Sequence, residues 1–193
     1  MTTTEPRRAP VEDRVADAAD KVPGRIEGSQ GLSRVGAALR RVADAVVPAG
    51  PVRDAARGRW LGHPVHPMLT DLPIGFWTSA FVLDLVPGER VRPAPNTLVG
   101  LGVLSSLPTV LAGLAELTAL RDERTLRVAA AHALGNAAGT VLYASSWWER
   151  RRGRRGRGVA LSLVGAAALS FGGYLGGHLS YRRGAGVDIS ALG

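Results

Sequence analysis

The 193-residue chain has no cysteine, a single lysine (Lys21) against 23 arginines, and only 5% aromatic residues. Without a thiol it forms no disulfide, no thiolate-ligated zinc site, no self-held iron–sulfur cluster and no covalent c-type haem, and it carries no cysteine nucleophile. Enzyme motifs are missing as well: there is no nucleophile elbow, no phosphate-binding glycine loop and no H-E-x-x-H helix. Those gaps leave enzyme status open. The preference for arginine over lysine, with abundant alanine and glycine, points to a GC-rich bacterial genome.

Charge is also absent from most of the second two thirds. Residues 93–115, 128–148 and 158–181 contain 23, 21 and 24 positions without a charged side chain. About 20 apolar residues suffice for a helix to cross a bilayer core. A fourth stretch, 67–86, includes Asp71 and Asp84 and is also read as a crossing. The mean hydropathy of +0.07 averages these stretches with a first 60 residues that hold 11 of the 24 basic and 8 of the 16 acidic side chains. Short connections force neighbouring helices antiparallel. The expected fold is therefore all-α: an integral membrane four-helix up-down bundle over 60–188. A basic, partly disordered tail over 1–59 precedes it, and a short C-terminal tail, 189–193, follows. Within the first tail Leu32, Val35, Leu39, Val42 and Val46 recur at spacings of three and four, which predicts an amphipathic helix over about 31–47. Such a helix lies on lipid headgroups or folds onto the bundle, with a coiled-coil partner surface as the alternative.

The expected location is the bacterial plasma membrane, crossed several times. No apolar signal segment opens the sequence, so insertion is expected to rely on the spans. Eight arginines flank the spans on each side, a tie under the positive-inside rule. The long basic tail favours a cytoplasmic N-terminus, and the compact arginine loop argues the other way. Topology and anionic lipid account for the arginine loop at 150–157, so no nucleic-acid partner is expected.

Threading four antiparallel spans brings every histidine to one end: His63 and His66 before the first span, His132 a little way into the third, His178 near the end of the fourth. Asp71 and Glu116 fall at the same end. Ionisable groups inside a span are costly and tend to face the interior and a partner. For Asp71 a first-turn carboxylate favoured by the helix dipole is the alternative. His132, Asn136, Thr140 and Tyr143 form one polar stripe that should point inward. Gly172, Gly173, Gly176 and Gly177 permit close helix approach just before His178, with Tyr174 beside them. His63 and His66 each precede a proline, which pushes them out of helical geometry. They read either as ligands or as hydrogen-bonded interfacial anchors. Pro73 and Pro108 free main-chain carbonyls that a side chain or water must satisfy.

The segments G-H-P-V-H-P-M-L-T-D-L-P-I-G at 62–75, A-H-A-L-G-N at 131–136 and G-G-H-L-S-Y-R-R-G-A-G-V at 176–187 resemble the bacterial membrane family catalogued as domain of unknown function 2231, over about residues 60–188. The resemblance implies a four-helix membrane module without an established activity. Some members are fused to a Rieske-type iron–sulfur or cytochrome-like domain, and His63, His66, His132 and His178 are the motif positions. This implies a membrane redox component in which histidines hold a b-type haem or, alternatively, a transition metal. Asp71, Glu116, Asn136 and Tyr174 would support it, and a separate iron–sulfur or cytochrome protein would be the redox partner. A homo-oligomer is compatible with this reading. A non-catalytic membrane scaffold whose histidines are structural is the competing one.

Overall fold

The computed structural model describes residues 11–88 and 91–185, with side chains from residue 20 onward; Arg90 and the tail at 189–193 lie outside the described residues. Among the described residues the chain forms seven helices and no strand. Three come from the N-terminal region: α1 (Val11–Gly28), α2 (Gln30–Val46) and α3 (Pro51–Ala56). Four longer ones follow: α4 (Val65–Asp84), α5 (Pro93–Leu117), α6 (Glu123–Arg151) and α7 (Arg155–Tyr181).

Local chemistry sets the boundaries. Pro64, held extended at φ −58° and ψ 134°, precedes α4, and Pro93 opens α5, where its missing N–H costs nothing. The Asp122 carboxylate caps α6 by accepting from the Thr125 N–H at 2.8 Å. Gly153, at φ +76°, turns the chain from α6 into α7 through the left-handed region. Inside α4, Pro73 offers no N–H to the Leu69 carbonyl; the Thr109 hydroxyl of α5 donates to it instead, at 3.0 Å. The carbonyl freed by Pro73 thus becomes a tie between two helices.

The four long helices alternate in direction. His66 at the start of α4 lies beside Thr109 near the end of α5, and His132 early in α6 beside Gly172 late in α7. Asp84 at the end of α4 meets Arg150 at the end of α6 and Arg155 at the start of α7. Hairpin α4–α5 and hairpin α6–α7 are each closely packed, and α5 against α6 is the broader contact between them.

Packing is by small residues inside and large ones outside. Gly100, Gly102, Ala112, Gly139, Ser146, Gly165 and Gly172 are buried, whereas Ile74, Phe81, Leu104, Leu107, Val141 and Val164 are exposed. Helices α5 and α7 are long and apolar enough to cross a membrane, with mean hydropathies of 1.9 and 1.6 over windows only 39% and 28% buried. Most residues of those windows are therefore left at least partly exposed. Helices α4 and α6 fall short of that hydropathy. Asp71 and Asp84 interrupt the first, and alanine, glycine, serine, His132 and Asn136 dilute the second.

The N-terminal helices cover one end of this assembly. Helix α2 packs on α5 and α6, α1 on α6, and α3 on α5. Ala43 is fully buried, and Leu32 and Leu39 pack against the cluster holding Leu117, Val128 and Leu179. Arg127 of α6 pins the cover by donating to the Ser33 hydroxyl at 2.8 Å and the Glu27 carbonyl at 2.6 Å. The amphipathic stripe is divided: Leu32, Val35 and Leu39 turn inward, and Val42 and Val46 stay exposed.

Candidate functional site

The four histidines share one end of the molecule but do not form one cluster. His66 and His132 meet inside the bundle, with ring centres 6.2 Å apart and planes at 82°. Each ring presses its Cε1 edge on a glycine: a Cβ at Gly113 would come within 2.9 Å of His66, and one at Gly176 within 3.0 Å of His132. Each also places Nδ1 against a main-chain carbonyl of its hairpin partner, Thr109 at 2.9 Å for His66 and Gly172 at 2.7 Å for His132. A carbonyl only accepts, so in the neutral ring Nδ1 carries the proton and Nε2 keeps the lone pair. Asn136 agrees with that assignment, its Nδ2–H lying 3.0 Å from His132 Nε2.

The other two histidines stand apart. His63 is exposed in the loop before α4, where Gly58, at φ +74°, lets the chain fold back against the His63 carbonyl. His178 lies 3.2 Å from the Glu27 carboxylate, which also takes a close ion pair from Arg183, while Arg182 reaches Asp20 at 3.6 Å. Together with Gly24 these residues line an open cleft of about 280 Å³ between α1 and the end of α7. Burial alone would raise the Glu27 carboxyl, but the hydrogen bonds from Arg183 and His178 outweigh it and hold the group below its ordinary value.

Of the supporting residues, Asn136 meets the imidazole pair, at His132. Asp71 and Tyr174 are exposed. Asp71 sits one to two turns into α4, near enough to the helix start for its carboxylate to remain outside. Glu116 is half-buried and faces Arg57, just past the end of α3, at 3.9 Å. The polar stripe on α6 does turn inward: Tyr143 is 4% exposed and stacks on Trp77 of α4, with ring centres 4.2 Å apart and planes at 9°. Among the described residues no group of three or more His, Cys, Asp or Glu is placed to hold a metal ion.

The most deeply buried of the described ion pairs involves residues that sequence reasoning did not select. Arg150 grips Asp84 with both terminal nitrogens, at 3.0 and 2.5 Å, and Arg155 adds a contact at 2.8 Å. The Arg150 and Asp84 side chains are only 3% and 5% exposed. A signal was present: Asp84 and Arg150 are separated by 66 residues, as are His66 and His132. Trp77 and Tyr143 repeat the spacing between them. Three layers, imidazole, aromatic and ionic, thus run down the contact between α4 and α6.

The chain matches the model of a family described as predicted membrane proteins, domain of unknown function 2231, over residues 62–189. It belongs to that family. No curated protein and no solved structure matches it.

Proposed function

We propose that this chain crosses the bilayer four times and holds a transition-metal ion between His66 and His132, near the membrane face covered by its N-terminal helices. The crossing is supported by the exposed apolar side chains of all four long helices and by their lengths. At 1.5 Å per residue the 20 residues of α4 span about 30 Å, the thickness of a bilayer core, and the others are longer. Inside lipid, association relies on small residues and polar ties, the kind of interior found here. A cytoplasmic N-terminus fits the basic tail.

One observation carries the metal reading: both interior imidazoles have Nδ1 fixed by a main-chain carbonyl, the tautomer whose Nε2 lone pair binds an ion once Asn136 releases that of His132. The separation is compatible. A metal–nitrogen bond of about 2.0 Å, plus about 1.2 Å from nitrogen to ring centre on each side, allows centres up to about 6.4 Å apart. The 6.2 Å between the rings lies within that reach. Two imidazoles are also the axial complement of a b-type haem, but the residues do not fit a macrocycle, because Gly113 and Gly176 bring main chain against both rings. The two imidazoles would be the protein ligands, with water or a bound molecule completing the shell. Copper or iron would make the module redox-active; zinc would not.

The structural reading is favoured by one contact set: both nitrogens of His132 already have partners in Gly172 and Asn136. The test is elemental analysis and an absorbance spectrum on protein purified in detergent from metal-replete cells. About one equivalent of copper, iron, nickel or zinc, lost from a His66→Ala variant, supports the ion. A Soret band would replace it with haem. Metal-free, colourless protein of unchanged stability in that variant would leave the scaffold.

A further inference from the structure

A constant spacing relates α5 to α7 as well as α4 to α6. Each buried position of α4 has a buried counterpart on α6: Pro73 with Gly139, Trp77 with Tyr143, Ala80 with Ser146. Helices α5 and α7 correspond in a slightly shorter register, the turn between α6 and α7 being the tighter. Gly102 and Gly165 underlie Trp77 and Tyr143, and Gly113 and Gly176 underlie His66 and His132. Thr109 and Gly172, the carbonyls that accept from the two imidazoles, hold equivalent places.

We propose that α4–α5 and α6–α7 are two copies of one helical hairpin, related by an approximate two-fold axis from which the broad α5–α6 and slight α4–α7 contacts depart, and that Asp84 and Arg150 make each copy fit only the other. Residues on such an axis face their own counterparts, as His66, Trp77 and Asp84 face His132, Tyr143 and Arg150. At the first two levels the counterparts are alike. At the third they are opposite in charge. Two first hairpins would set carboxylate against carboxylate there, and two second hairpins guanidinium against guanidinium, either one costly away from water. Only the mixed pair closes. The counterpart of Arg155, which supports Asp84, is Arg92 at the start of α5. His63 and His178 correspond to Ala129 and Ala115. Only His66 and His132 are therefore one residue in two copies, and the interior site is composite, each hairpin supplying an imidazole, a carbonyl and a glycine.

The test uses full-length protein in detergent, read by melting temperature and gel filtration. D84R and R150D should each melt far below the parent, and D84R/R150D should recover more than half of the loss. In the swapped chain Arg155→Ala should cost less than it does in the parent, and Arg92→Ala should cost more. Dependence that stays on Arg155, or a swapped chain no better than the single variants, overturns the proposal. An independent arm exchanges the aromatic layer: W77Y/Y143W should melt closer to the parent than either single variant, and melting below both contradicts the equivalence.

Discussion

Asp84 and Arg150 lie at the far ends of two helices that run in the same direction, and they form a two-armed ion pair buried on all sides, with 5% and 3% of their side chains exposed. Breaking such a pair leaves one charge buried without a partner, which costs about 3–5 kcal/mol, whereas replacing both partners with apolar groups of similar volume is often neutral. Asp84→Ala should therefore lower the melting temperature sharply, and a D84L/R150M chain should recover most of the loss. Thermal unfolding in detergent distinguishes the two outcomes.

The imidazole pair makes a prediction about selectivity among histidines. His66→Ala and His132→Ala should each reduce bound metal at least tenfold and by similar factors, since each removes one of two equivalent ligands. His63→Ala and His178→Ala should leave the metal content unchanged, because neither ring reaches the pair. Elemental analysis of the four variants, prepared in parallel, checks it.

The contact of α1 with the end of α7 should depend on pH. The Glu27 carboxyl is held below its ordinary value of 4.5 by Arg183 and His178 against the opposing effect of burial. A depressed folded value means that stabilisation is complete above 4.5 and disappears as the pH falls through the lower folded value. Amide exchange in residues 20–28 should accelerate in that acid window. In a Glu27→Gln variant the segment should be looser at neutral pH, and this carboxylate's part of the acid dependence should vanish.

Asp122 offers a simpler case at the start of α6. The Thr125 hydroxyl and N–H both donate to its carboxylate, at 2.6 and 2.8 Å, and hold it below its usual value. Asp122→Ala should cost about 1 kcal/mol, a fall of about 2–4 °C in a chain of this size. Asp122→Asn should recover part of it.

Much of the fold was legible because charge is so unevenly distributed. The three uncharged stretches fall within α5, α6 and α7, and α4 covers nearly all of the fourth stretch. The helix of 31–47 is found at Gln30–Val46, and the inward stripe from His132 to Tyr143 follows from helical periodicity alone. Tertiary partners were not legible. The shared end of the four histidines follows from connectivity, but their division into a pair, a latch and a loop residue depends on packing at Gly113 and Gly176. Arg150 read as one of a run of loop arginines, and only its placement against Asp84 distinguishes it from Arg151 and Arg152. Glu27 and Arg183 meet across 156 residues. The hairpin repeat was obscured because paired positions keep burial rather than identity: Pro73 frees the Leu69 carbonyl that Thr109 then satisfies, while Gly139 keeps its N–H.

The absence of cysteine makes the crossing number directly measurable, because single introduced cysteines label against no background. Cysteines at Ala49, Gly88, Ala119 and Gly153 should label with membrane-impermeant maleimide in two groups, 49 with 119 from one side of intact vesicles and 88 with 153 from the other. Labelling of 88 and 119 from the same side, or of 119 and 153 from the same side, would remove α5 or α6 from the bilayer. It would contradict a four-crossing domain enclosing the His66–His132 pair.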